Sequence, residues 1–150
     1  MLKKRIIPVL LLKNGRMVKG KNFKNYIDTG DPNKAVDIYS SQDADELIFI
    51  NISKDDISKK KFLEILNRSS KECIMPLCAG GGITNSEDVK ELIELGADKV
   101  LLNTILTTDL SIIKDISSKF GAQCIVAAID YKRNNKTGEL EVWSNCGKVL

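Results

Sequence analysis

Three consecutive glycines, an Asn-Thr pair and a single aspartate are the residues whose types and setting invite chemistry. Gly80-Gly81-Gly82-Ile83 leads from an apolar run to the start of an amphipathic segment. There, exposed backbone N–H groups and the positive end of a helix can receive a phosphate. The other role open to these glycines is a tight turn that needs positive φ. Asn103-Thr104 closes the next apolar run and adds polar groups that can share a phosphate. Asp130 follows Ile125-Val126-Ala127-Ala128-Ile129. A carboxylate at a strand end can act as general acid or base, or it can cap the backbone or pair with Lys132 or Arg133. Acid–base work by two carboxylates needs a partner across the site, yet the ends of the first two apolar runs carry Leu11 and Asn51, which do not ionise. Lys19, in the polar loop Lys13 to Thr29, can cover a phosphorylated ligand as a mobile cation or remain a solvated surface lysine.

Positioning these groups requires strands. Apolar runs lie at about 5–12, 46–52, 73–79, 98–103 and 123–130, and continuous runs of this kind fit parallel strands covered on both faces. Four helices alternate with them. Asp31-Pro32 supplies an N-cap followed by proline at the first helical position, with Ala35, Ile38 and Tyr39 on one face. Phe62, Leu63, Ile65 and Leu66 form the stripe of a second helix beginning in Lys59-Lys60-Lys61. Thr84-Asn85-Ser86-Glu87 has capping-box spacing ahead of Val89, Leu92 and Ile93, and Gly96 is the stop. Asp109 caps a fourth helix that contains Ile112, Ile113, Ile116 and Phe120 and ends at Gly121. The tail from Lys132 to Leu150 reads as a hairpin-like excursion around Thr137-Gly138.

A faint internal repeat supports this order, because Ala44-Asp45-Glu46-Leu47-Ile48-Phe49 matches Ala97-Asp98-Lys99-Val100-Leu101-Leu102. Strict βα alternation permits a doubly wound sheet or a barrel. A length of 150 residues suits the open sheet and falls short of the roughly 250 residues usual for an eight-stranded barrel. Arg5, Glu46 and Lys99 each stand at the N-terminal start of a strand, so a closed barrel brings them together at the end opposite Asp130. They form either a solvated ion-pair cluster, which is worth little, or charges directed into the barrel.

The composition excludes several classes. With 43% hydrophobic and 29% charged residues the chain can bury a core and is not disordered, and a net charge of +3 is too dilute for a nucleic-acid groove. The N-terminus has the outline of a signal peptide, but its apolar run Ile6 to Leu12 is short, contains Pro8 and meets Lys13 without a small-residue cleavage site. A buried strand is expected there, and no segment is long enough to span a membrane. Cys73, Cys78, Cys124 and Cys146 show no C-x-x-C spacing and there is no His, so neither a metal nor a cofactor is expected and the thiols read as reduced, in a cytoplasmic protein.

At these residues the chain resembles the cyclase subunit of imidazole glycerol phosphate synthase, a (βα)8 barrel that joins a glutaminase subunit in histidine biosynthesis. The matching stretches are Lys4-Arg5-Ile6-Ile7-Pro8, Lys13-Asn14-Gly15-Arg16, Val18-Lys19-Gly20, Gly30-Asp31-Pro32, Asp45-Glu46-Leu47, Gly80-Gly81-Gly82-Ile83, Gly96-Ala97-Asp98-Lys99-Val100, Asn103-Thr104 and Ala128-Ile129-Asp130. The resemblance implies an α/β fold: residues 1–150 as a single incomplete domain, the N-terminal half plus strand five of a barrel with phosphate loops of the ribulose-phosphate-binding type. It implies that Gly81, Gly82, Asn103 and Thr104 bind a substrate phosphate, that Lys19 lies on the loop closing over it, and that Asp130 is one of two catalytic aspartates. It further implies that Arg5, Glu46 and Lys99 gate ammonia arriving from the glutaminase, with Asp98 near that interface.

Two departures qualify the likeness. The family's second catalytic aspartate corresponds to Leu11, and Asn51 replaces an aspartate that the family usually shows. A positioned acid–base group contributes about 10²–10⁴-fold to a rate, so cyclisation is expected to suffer. Leu10-Leu11-Leu12-Lys13-Asn14-Gly15 resembles a paralogous branch of surface-polysaccharide gene sets, in which ammonia is supplied for amidation of a sugar. The expected function is therefore an ammonia-accepting synthase subunit of that branch. The alternatives are a true cyclase of the histidine pathway and a non-catalytic glutaminase-docking module. The second departure is length: a chain of five strands reads as a fragment or truncation, or as a half-barrel that pairs with a C-terminal half or a second copy.

Overall fold

A computed structural model describes residues 3–145 and 147–150. Cys146, expected to be a reduced thiol, lies outside the described residues.

The first strand, β1 (Val9–Lys13), turns at once into β2 (Arg16–Lys21) and β3 (Lys24–Gly30), followed by α1 (Pro32–Ser41) and β4 (Leu47–Asn51). Then come α2 (Asp56–Glu72), β5 (Leu77–Gly80), α3 (Ser86–Glu94) and β6 (Lys99–Leu102). The short α4 (Ile105–Thr108), α5 (Leu110–Phe120), a 3-10 turn (Ala122–Cys124) and β7 (Ile125–Ala127) complete the main sheet, and β8 (Asp130–Arg133) pairs with β9 (Leu140–Trp143) in a separate ribbon.

The five expected parallel strands are present as β1, β4, β5, β6 and β7, adjacent in chain order. A doubly wound sheet reverses its strand order and carries helices on both faces. Here the order never reverses, and one core gathers Leu12, Leu47, Phe49, Leu77, Ala79, Val100 and Leu102 with Val36, Phe62, Leu66, Val89 and Ile116 of the helices. This is the arrangement of part of a (βα)8 barrel, and length pointed to the wrong alternative. Burying each such large side chain contributes about 1.5–3 kcal/mol.

The other sheet face carries two rows set by the register, Val9–Ile48–Cys78–Lys99 and Leu11–Ile50–Gly80–Leu101–Val126. In a barrel this face lines the interior.

Several local expectations are corrected. The polar stretch from Lys13 to Thr29 is a pair of antiparallel hairpins, because Asn14-Gly15 (53° and 79°) and Asn22-Phe23 (52° and 57°) take positive φ at both positions, the requirement of a two-residue type I′ turn. Strand one begins at Val9, four residues later than expected from about residue 5. Helix α2 starts before the lysine run, at Asp56, because the Asp55 carboxylate accepts from the Ser58 N–H. The cap of α3 is Asn85, one residue after Thr84; its Oδ1 accepts from Asp88 N, while Thr84 donates back to Asp88. Ile38 of α1 is exposed, and Val36 takes its expected place in the core. Asp31 and Asp109 cap their helices and Pro32 opens α1, as expected, and Gly121 ends α5 at φ 88°. Among the described residues no helix is long and apolar enough to cross a membrane.

Candidate active site

The carboxyl ends of β5, β6 and β7 stand side by side, since Gly80 pairs with Leu101 and Leu102 with Ala127. The three glycines that follow β5 have different reasons to be glycine. A Cβ on Gly80 would lie 2.4 Å from the Leu101 carbonyl oxygen, and one on Gly81 2.0 Å from that of Asn51. Gly82 also has positive φ (75°), but a Cβ there would meet nothing within 4 Å. Gly81 therefore makes the tight turn, while Gly82 offers its backbone to open space.

Across the strand end, Asn103 Nδ2 donates to the Ala128 carbonyl at 2.9 Å and to Asp130 Oδ2 at 3.3 Å. One amide thus fixes the corner where the chain leaves β7 and holds the Asp130 carboxylate beside β6. Asp130 and Asn103 are half-buried, whereas Thr104 is exposed at the start of α4, its hydroxyl 3.5 Å from Asn103 Oδ1. Asn103 and Asp130 thus meet directly, with Thr104 next to Asn103 and Gly82 two residues past the neighbouring strand.

Leu11 lies in the middle of the second interior row, between Val18 of β2 and Ile50 of β4, and is half-buried. No ionisable side chain stands in that row from Val18 to Val126. Asn51 is buried and its Oδ1 accepts from Ser53 N at 3.1 Å, so it holds the turn after β4. Lys19 does not lie on a loop: it is exposed on β2, paired with Ile27 of β3.

The opposite end of the sheet carries the charged cluster. Glu46 Oε2 accepts from Lys99 Nζ at 2.7 Å and from Arg5 Nη1 at 3.5 Å. The Glu46 side chain is only 5% exposed, against 29% for Lys99 and 62% for Arg5, so the cluster is built around a buried carboxylate and is not solvated throughout. Cys78 lies beside Lys99 in the first row; burial, with the Glu46 charge adding to it, pushes its thiol up to about 12. Asp98 is exposed and its carboxylate accepts from Leu77 N at 2.8 Å, tying down the start of β5.

One residue beside the site was not singled out in the sequence. Trp143 is paired with Asp130 across the β8–β9 ribbon, and its indole Nε1 is sealed from solvent with no hydrogen-bond partner among the described residues. The alternation Leu140-Glu141-Val142-Trp143 marks a strand, but only the β8–β9 register brings Trp143 to Asp130.

A larger cleft, about 430 Å³, opens between α1, α2 and the Asn14-Gly15 turn, where none of the expected site residues lies. Lys61, Glu64 and Arg68 of α2 lie along its wall.

The nearly complete run of colinear motifs is matched by comparison with known families. The sequence model of the family described as "Histidine biosynthesis protein" matches residues 5–149. The chain accordingly belongs to the histidine biosynthesis protein family of TIM-barrel enzymes.

Proposed function

We propose that this chain is an ammonia-accepting synthase subunit of the imidazole glycerol phosphate synthase type, of the paralogous branch that delivers ammonia to a sugar acceptor. The observation that carries the reading is the unequal state of the two interior ends. Asp130 is held by Asn103 beside an open glycine backbone, whereas the position on β1 that the resemblance assigns to the second aspartate is Leu11, in an apolar row. A two-carboxylate cyclisation has no second proton carrier there.

In this reading Gly81, Gly82, Asn103 and Thr104 receive a substrate phosphate through backbone N–H groups and a hydroxyl. Lys19 contributes a cation from the β2–β3 hairpin. Ammonia, being neutral, passes an apolar row such as Leu11–Ile50–Gly80–Leu101 without a charge to trap it. Arg5, Glu46 and Lys99 form the gate at the far end, and Asp98 lies toward a glutaminase partner.

The test is ammonia-dependent turnover of the histidine-pathway substrate, the ribulosyl phosphoribosyl aminoimidazole carboxamide nucleotide, by the folded chain alone and joined to a complementary half-barrel. Absence of turnover in both folded preparations is expected. Turnover to imidazole glycerol phosphate would instead establish the second reading, a histidine-pathway cyclase in which Asp130 works alone, which the intact Asn103–Asp130 hydrogen bond favours.

A further inference from the structure

A cavity of about 40 Å³ lies between α4, the corner after β7 and the β8–β9 ribbon, and its polar wall includes Asn103, Thr107, Asp130 and Trp143. Buried indole N–H groups nearly always find an acceptor, yet Trp143 Nε1 has none among the described residues. The neighbours on the wall are already engaged. Asn103 Nδ2 is shared between Ala128 O and Asp130 Oδ2, the Thr107 hydroxyl donates to Thr104 O at 2.9 Å, and the hydroxyl of Ser144, which also lines the cavity, donates to Val149 O at 3.5 Å. The indole itself is held, because direct cross-strand pairing sets it on the Asp130 face of the ribbon and Lys132 Nζ lies 5.6 Å from its ring centroid.

The cavity is therefore lined by a residue with one unused donor, the Trp143 N–H, and by a residue with a carboxylate acceptor, Asp130. Its volume is close to that of a single water or hydroxyl group, for which liquid water takes roughly 30 Å³. A hydroxyl group complements both, accepting from the indole and donating to the carboxylate. We propose that Trp143 is a ligand-binding residue of this site, its indole N–H donating to a hydroxyl oxygen of a sugar phosphate while that hydroxyl donates to Asp130. The inference rests on the reading that Gly82 and Thr104 hold the phosphate of the same molecule.

Trp143 is the single tryptophan of the chain, so a ¹⁵N-labelled sample gives one indole cross-peak. The full chain is titrated with ribulose 5-phosphate and, separately, with inorganic phosphate. The expected result is that the Gly82 amide moves with both and the indole proton moves downfield with the sugar phosphate alone. Trp143→Phe, checked by thermal melting for an intact fold, is expected to weaken ribulose 5-phosphate about tenfold, the loss of one hydrogen bond, and to leave inorganic phosphate unchanged. A moving Gly82 amide with a stationary indole, or equal weakening of both probes by Trp143→Phe, overturns the role of Trp143 and leaves the phosphate reading standing. Equal movement of the indole with inorganic phosphate overturns the hydroxyl assignment. A Gly82 amide that moves with neither probe overturns the phosphate reading, and the inference with it.

Discussion

Glu46 and Lys99 occupy the same position in two copies of one structural unit and bind each other, Lys99 Nζ donating to Glu46 Oε2 at 2.7 Å. The copies agree beyond sequence. Ala44 N donates to Tyr39 O and Ala97 N to Leu92 O, closing helices α1 and α3 in the same way. Asp45 Oδ2 then accepts from Ile6 N at 2.6 Å, and Asp98 Oδ2 from Leu77 N at 2.8 Å. Each aspartate clamps the strand beside its own, and the next residue enters the interior with opposite charges in the two copies.

Removing that carboxylate should cost stability. Breaking a wholly buried pair costs about 3–5 kcal/mol, but Lys99 and Arg5 keep 29% and 62% of their exposure. With solvent compensating them, Glu46→Gln is expected to lose about 1–2 kcal/mol, read from the urea midpoint. The double variant Glu46→Gln, Lys99→Met should recover part of this; no loss in the single variant would show that the cluster is energetically idle.

The glycines after β5 should respond unequally. Gly81→Ala drives a Cβ to 2.0 Å from Asn51 O at φ 101°, so β4 and β5 must separate and the folded fraction should collapse. Gly82→Ala meets only the backbone penalty of positive φ, about 1–2 kcal/mol, with nothing within 4 Å. It should fold with a lowered melting temperature while its affinity for inorganic phosphate falls. Similar melting temperatures for the two variants would contradict this assignment of roles.

What the sequence made legible follows from how local each signal is. The helix caps Asp31 and Asp109 and the five apolar strands could be read directly, because cap and periodicity act within a few residues. Asp130 was expected at the end of strand five, but that strand stops at Ala127 and Asp130 opens β8; its hydrogen bond to Asn103 spans 27 positions. The β1–β2 hairpin was announced by Asn14-Gly15, a turn signal hidden by the polarity around it, whereas the β2–β3 turn falls at Asn22-Phe23. Burial of Glu46 could not be inferred, since exposed and buried carboxylates share one residue type and only the neighbouring strands decide between them.

Acid sensitivity should centre on the start of α3. Burial raises the Asp88 carboxyl, but hydrogen bonds from Thr84 and Lys59 outweigh it and hold the group below its ordinary value of 3.8. A depressed carboxylate adds stability that is complete above the unfolded-chain value and vanishes as pH falls through the lower folded value. Asp88→Ala should cost about 1–2 kcal/mol at pH 7, and its stability should fall less than that of the wild type between pH 5 and pH 2. Parallel pH curves from urea melts would rule Asp88 out as a source of acid loss.

Thiol chemistry should separate the described cysteines by state of folding. Cys78 is fully buried with its thiol pushed up to about 12, so at pH 8 almost none is thiolate, the form that reacts. A maleimide added to the native protein should leave Cys78 unmodified by peptide mass mapping, and modification should appear only at urea concentrations that unfold the sheet. Labelling of Cys78 in native buffer would show that the row Val9–Ile48–Cys78–Lys99 opens without unfolding.

Leu11→Asp puts a carboxylate into the apolar interior row of the sheet. Its neighbours there are Val18 and Ile50, which offer the charge no partner, so the variant should lose about 1–3 kcal/mol of stability. If the second proton carrier is what cyclisation lacks, the same variant in a completed barrel should turn over the histidine-pathway nucleotide at least about 10²-fold faster than the Leu11 form, the smaller end of what one positioned acid–base group supplies. Leu11→Asn matches the shape without the proton and should restore nothing. A rate that is equal in all three forms would place the limit elsewhere, in substrate binding at the glycine loop, and would remove Leu11 as the reason for assigning the chain to the amidating branch.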